Sequence, residues 1–359
     1  MFQGNFGATS TFASDITSAT RLATSAPFAR YLAEEIYNQS AWIRSGVMRR
    51  SPLLQASVGT RIEAPFFDPI NPTEEVITSA SNWGTNTSGY FTPQKVTAST
   101  QYATITHRGF MFTADDLSKL ATGEDPLAHF RSQLAADLAK KRTSKLVSQF
   151  EGLFGTALTG NKLNVSATSS PVAANYLNAA NITQAKYLLG ERAGSINTIA
   201  MHSLVAAGLE ATGQLVMQTG STAAGQAVSI GNGGFNASNV GIGQMSGLTV
   251  IVDDQMPIVG SGGQSQQFVC YLFGSGVVYE GDQMPLTIET GRNISSLQDA
   301  VAVHYHHVQH IPGTSWADSV DNPTNANLAT ANKWSLAYAD RRLVPMVRLQ
   351  VNSPYGGTI

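Results

Sequence analysis

"EDPLAHFRSQLAADLAKKRTSKLVSQFEGLFGTALTG" occupies residues 124–160 and reads as one long helix. Pro126 suits its first turn, where the missing N–H has no intrahelical partner to lose. Leu127, Phe130, Leu134 and Leu138 recur at helical spacing and form one apolar stripe. Val147, Phe150, Phe154 and Leu158 form a second, rotated from the first by roughly a third of a turn or more. A helix with two such stripes has to cross two packing partners, or bend. Between the stripes sit Lys140, Lys141, Arg142 and Lys145, which read as a solvated face or as a patch for phosphates.

On the N-terminal side, residues 1 to about 26 are rich in Ser, Thr, Ala and Gly and read as an extended arm. Pro27 opens a helix-like stretch ending near Val47. From about 51 to 112 the chain becomes strand-like. "GTRIEAPFFDPINP" (59–72) and "QKVTASTQYATITHRGFMF" (94–112) flank the turn-rich "TSASNWGTNTSGYFTP" (78–93). This predicts a long hairpin, with neither face of its second strand clearly apolar before Ile105. An isolated hairpin is marginal in water, so this one has to lie on something else. "TADDLSKLATG" (113–123) offers Thr113 as an N-cap and Gly123 as a stop for a short helix.

On the C-terminal side helices and strands alternate. "NITQAKYLLGERAG" (181–194) and "HSLVAAGLEATG" (202–213) read as helices. "INTIAM" (196–201), "GLTVIVDD" (247–254), "QQFVCYLFGSGVVYEG" (266–281) and "PLTIETG" (285–291) read as strands. The pattern is that of an α+β unit over about 180–295. A short capped helix in "NPTNANLATANKW" (322–334) and a strand in "LVPMVRLQVN" (343–352) close the sequence.

Four features of the sequence bear on chemistry. Four of the seven histidines fall in "VAVHYHHVQHIPGTSW" (301–316), at 304, 306, 307 and 310. On a strand His304, His306 and His310 share a face with Val308. His-x-His on a strand can bind zinc, but no Cys, Asp or Glu lies among them, and Asp299 and Asp318 fall outside. The glycine-rich "GNGGFNASNVGIGQMSG" (231–247) has no dinucleotide fingerprint and leads into a strand, not a helix. Asp253 and Asp254 point to opposite faces of an extended segment, and Asp115 and Asp116 suit a helix start. No G-x-S-x-G occurs. These readings predict no catalytic residue, no cofactor and no metal.

Bulk composition agrees with assembly. Charged residues make up 13% of the 359, about half the usual share, while hydrophobic residues reach 42%. A chain that hides surface against copies of itself needs less charge. The net charge of -2 argues against a dedicated nucleic-acid binder. The one cysteine, Cys270, forms no disulfide framework and suits a reducing compartment. The start has no basic and apolar leader pattern, and no apolar run is long enough for a membrane span.

Arm, hairpin, long helix, α+β unit and returning strands occur in an order that resembles the major capsid protein of tailed bacteriophages. "MHSLVAAGLEATG", "GQMSGLTVIVDDQMP", "YLFGSGVVYEGDQMPLTIETGRN", "HIPGTSW" and "NPTNANLATANKWSLAYADRRLVPMVRLQVN" resemble successive segments of that family. The resemblance implies an N-arm over 1–50 and an extended loop over 51–106 that overlaps a neighbouring subunit. It implies a peripheral domain over 107–165 and 297–359, with the long helix as spine, and an axial domain over 166–296. Trp83, Tyr90, Phe91 and Lys95 of the loop would make intersubunit contacts. Lys140, Lys141, Arg142 and Lys145 would form a DNA-facing basic cluster. The implied partners are copies of the chain as hexamers and pentamers, a separate scaffolding protein, a portal, a cement protein and packaged DNA, with no membrane. The implied location is the virion capsid, assembled in the host cytoplasm. The stretch after about 320 exceeds the simplest versions of the fold. Two alternatives stay open: an encapsulin-type shell, and a His-dependent metalloenzyme.

Overall fold

The computed structural model describes residues 40–55, 59–68, 74, 95–115, 126–217, 242–260, 262–263, 265–293 and 297–356. The chain begins with helix α1 (Ala41–Arg44), strands β1 (Met48–Arg50), β2 (Arg61–Phe67) and β3 (Ala98–Asp115), and helix α2 (Pro126–Gly155). Next come β4 (Lys162–Asn164), α3 (Ala179–Lys186), β5 (Ile196–Met201), α4 (Ser203–Ala211) and β6 (Val216–Met217). They are followed by β7 (Ile242–Met245), β8 (Leu248–Val252), β9 (Ile258–Val259) and β10 (Gln267–Gly274). The last elements are β11 (Val278–Asn293), β12 (Gln298–His310), β13 (Thr314–Trp316), α5 (Asn325–Leu328), β14 (Trp334–Leu336) and β15 (Met346–Asn352). The content is α+β.

The two stripes of α2 meet two different partners. Leu134 and Leu138 pack on Leu286, Ile288, Val301, Val303 and Tyr305 of β11 and β12. Val147, Phe150, Phe154 and Leu158 pack instead with Trp42, Tyr271 and Phe273. The side chains of Leu127 and Phe130 lie outside the described residues. The rotation between the stripes is therefore what a helix needs to lie across two sheets in turn.

The second of those sheets has the order β4-β15-β10-β5-β8-β7-β6, with β9 also on β10. Its interior strand β10 is buried along its whole length. Val269, Tyr271 and Phe273 join the core under α2, while Phe268, Cys270 and Leu272 join the core under α3 and α4. Successive side chains alternate faces, and both faces are covered, which explains the unbroken apolar run.

The first sheet has the order β1-β11-β12-β3-β2. Strand β3 pairs with β12 from Asp115↔Gln298 to Ile105↔Val308. Residues 113–115, expected to cap a helix, thus continue the strand: pairing along β12 overrides a local capping signal. Strand β2 pairs with β3 from Arg61↔Thr104 to Phe67↔Ala98, and Asp68 N–H donates to the Thr97 carbonyl at 3.0 Å. This is the base of the expected hairpin; residues 69–73 and 75–94 lie outside the described residues. Leu54, Ile62, Ala103, Ile105 and Val308 tie that base to the sheet.

Strand pairing divides the chain differently from the sequence expectation. The boundary expected at 296/297 falls between β11 and β12, which pair along their length. Strand β15, which the resemblance puts in the same domain as the histidine strand, lies between β10 and β4. Its Val347, Leu349 and Val351 belong to the α3/α4 core, so burial of that face sets its partner.

The stretch after 320 forms a strap across α2. A Cβ on Gly152 would meet the Leu328 carbonyl oxygen at 2.1 Å, and one on Gly155 would meet Ala331 Cβ at 2.2 Å. Trp334 Nε1 donates to that same Leu328 carbonyl at 2.7 Å, and its ring stands edge-on to Trp316 at 5.0 Å. Two glycines in a helix cost about 1 kcal/mol each against alanine. Here they permit a close approach of backbone.

Candidate functional site

Leu138, Arg142, Lys145 and Gln149 fall at i, i+4, i+7 and i+11, so they share one face of α2. That face looks onto β11, β12 and β3, and it carries its charges inward. Arg142 Nη1 donates to Glu280 Oε1 at 3.0 Å, with side-chain exposures of 8% and 1%, and Arg142 Nη2 reaches Asp282 Oδ1 at 3.5 Å. His307 Nε2 also bonds Glu280 Oε1. Lys145 Nζ donates to Thr106 Oγ1 at 2.6 Å and to the His307 carbonyl at 3.1 Å, and lies 3.0 Å from His307 Nδ1. Thr106 Oγ1 in turn donates to the His307 carbonyl at 2.7 Å.

Three acceptors face the three ammonium protons of Lys145. With Nδ1 accepting, His307 is neutral and carries its proton on Nε2, toward Glu280. Burial, then Lys145, pushes the His307 imidazole well below its ordinary range. Burial raises the Glu280 carboxyl, opposed by Arg142 and Lys145. Burial, then Arg108, pushes Lys145 well down. With Arg142 and Lys145 charged against Glu280 and Asp282, the directly bonded group balances, and Arg50 and Arg108 act on it from further out. A group like this fixes how α2 seats on the sheet more than it adds net stability.

The four basic residues of the expected DNA-facing cluster do not share one exposed face. Lys140 and Lys141 are exposed, whereas Arg142 and Lys145 are buried. Helix phase is the cause: the two buried residues fall in line with Leu138, the exposed two do not. Lys95 is exposed just before β3, while Trp83, Tyr90 and Phe91 lie outside the described residues.

The histidines divide between the two faces of β12. His304 and His306 are half-buried on the face away from α2, and the His306 ring stacks on His107 of β3 with centroids 3.8 Å apart. His310 is buried and burial takes its pKa down to about 4. Among the described residues no three His, Cys, Asp or Glu side chains form a group able to hold a metal ion. Glu280, His307 and Thr106 were not singled out from the sequence as partners for the helix. The available signal was the inward phase of Arg142 and Lys145, which demands buried carboxylate or carbonyl oxygen opposite.

Comparison with known proteins places this architecture. The chain is 24% identical over 326 residues to the major capsid protein of Bacillus phage SPP1, covering 88% of this chain and 92% of that protein. The capsid of Ralstonia phage GP4 shares the fold with a TM-score of 0.53 at 9% identity, covering 88% of this chain and 92% of that one. The Cyanophage Pam1 capsid asymmetric unit matches with a TM-score of 0.50 at 10% identity, covering 88% and 93%. The family model for Gp13-like proteins, described as major capsid protein 13-like, matches residues 82–344, and the chain belongs to that family.

Proposed function

We propose that this structural capsid protein of a tailed phage assembles as hexamers and pentamers into an icosahedral head around double-stranded DNA. The match of the major-capsid family model over 82–344 carries this reading. Residues 1–50 would serve as the arm, and 51–106 as the loop laid over a neighbour, with Trp83, Tyr90, Phe91 and Lys95 in the contact. The β2/β3 ribbon supports that role, because a two-stranded ribbon leaving a sheet needs a partner surface. The first sheet with α2 would form the peripheral domain. The second sheet with α3 and α4 would form the axial domain, including β15. Head-to-tail contacts between copies close into rings, and rings tile a shell.

A separate scaffolding protein, a portal and a cement protein are the proposed partners. The proposed place of assembly is the host cytoplasm, and no catalytic role is assigned. Of the basic residues, Lys140 and Lys141 remain as candidates to face DNA. Among the described residues no helix is long and apolar enough to cross a membrane. The relatives are phage capsid proteins, so an encapsulin-type shell and a His-dependent metalloenzyme are not favoured. Electron microscopy of the purified chain, expressed with and without its neighbouring genes, tests the reading. Closed shells, sheets or rings of five and six are expected; a monomer or dimer under every condition would refute it.

A further inference from the structure

A cavity of about 260 Å³ lies where β3, β12, α2 and α5 meet. Its walls include Arg108 from β3, Lys141, Arg142 and Lys145 from α2, Tyr305 from β12 and Asn325 from α5. Among the described residues four cations line it and no carboxylate does. Glu280 and Asp282, on the far side of Arg142, are already held by it.

Beyond the group in which Arg142 and Lys145 face Glu280 and Asp282, the other two cations have only neutral partners among the described residues. Arg108 Nη1 donates to Asn322 Oδ1 at 3.0 Å and to the His107 carbonyl at 3.2 Å, and Nη2 to the Pro323 carbonyl. Lys141 Nζ stands 4.2 Å from the centre of the Phe110 ring. Arg108 is half-buried and Lys141 exposed, so the charge runs from the cavity wall to its mouth. Burial lowers the Arg108 pKa, and at Lys145 burial first and Arg108 second push the pKa down.

We propose that this cavity is a binding site for a phosphate group. A tetrahedral anion carrying up to two charges matches two uncompensated cations, and it accepts hydrogen bonds from several directions at once. Tyr305 and Asn325, on other walls, are residues that carry neutral donors. A planar carboxylate carries one charge and fits the arrangement less well. Free phosphate and the backbone of packaged DNA offer the same chemistry. The site stands on the cavity itself; only the DNA source rests on the capsid reading.

The test uses the purified full-length chain in its native assembly. Inorganic phosphate is titrated calorimetrically in chloride buffer, and a labelled short duplex is followed by anisotropy. Saturable binding of one phosphate per chain is expected. Lys141→Gln and Arg108→Gln should each weaken it about tenfold, and Lys141→Arg should retain it. Arg108 also holds residues 322 and 323, so Lys141→Gln, at an exposed position, is the variant that decides. Parallel loss of duplex binding in Lys141→Gln identifies the DNA backbone as the source. Duplex binding that ignores the substitution while phosphate binding falls identifies free phosphate. Absence of saturable phosphate binding, equal affinity in wild type and Lys141→Gln, or equal competition by acetate would each overturn the proposal.

Discussion

Gly152 of α2 sits so close to Leu328 that a Cβ at the glycine would lie 2.1 Å from the Leu328 carbonyl oxygen. That oxygen also accepts the Trp334 indole N–H, so retreat would break a buried hydrogen bond. Gly152→Ala is expected to destabilise the chain by about 2 kcal/mol, despite the roughly 1 kcal/mol that alanine gains in helix propensity. Gly194→Ala, where an added Cβ meets nothing within 4 Å, should be near neutral. Denaturant unfolding of the two variants checks the contrast, and equal stabilities would remove the strap argument.

Glu280 is the hub of the buried ion network, bonded to both Arg142 and His307. Glu280→Gln removes the charge that balances Arg142 and is expected to cost about 3 kcal/mol. Asp282→Asn should cost clearly less, because Asp282 is 3.5 Å from Arg142 and more exposed. Thermal or chemical unfolding of each variant gives the order, and a reversed order would displace Glu280 from the centre.

Acid should loosen the chain through His310. Folding lowers its pKa from 6.5 to about 4, so between those values the unfolded chain binds the extra proton. The stability from keeping His310 neutral is complete above the unfolded pKa and falls as pH drops toward 4. The loss reaches about 2 kcal/mol by pH 5. His307, also lowered by burial, acts in the same direction. His310→Leu should flatten the slope of unfolding free energy against pH in this window by about one proton. A slope unchanged by the substitution would assign the acid sensitivity elsewhere.

Excision of residues 73–94 tests the hairpin. Described residues outside 73–94 build all four buried cores, so the shortened chain is expected to fold. It should no longer form closed particles. Circular dichroism and electron microscopy read the two outcomes separately, and shells built from the shortened chain would end the docking role.

Much of the fold was legible because its signals are local. The stripes Leu134/Leu138 and Val147/Phe150 announced a helix crossing two partners. The run around Cys270 announced a strand covered on both sides. What was not legible depends on pairing across distance. Thr113 and Asp115 look like a helix start until β12 lies alongside. Strand β15 has no mark that sends it to β10 and not to the histidine strand. Lys145 and Arg142 carry the composition of a solvated face, and only their phase with Leu138 hints otherwise. Their partners Thr106, Glu280 and His307 come from three strands, so no spacing could reveal them.

The single thiol of the chain has a practical consequence. Cys270 is fully buried in β10, and burial pushes its pKa up to about 12. In the closed molecule it is both shielded and protonated, and so inert to alkylating reagents at neutral pH. Each labelling event therefore records one opening of the second sheet. A time course of modification would act as a clock for that sheet alone, inside particles as well as in free subunits, with no engineered probe.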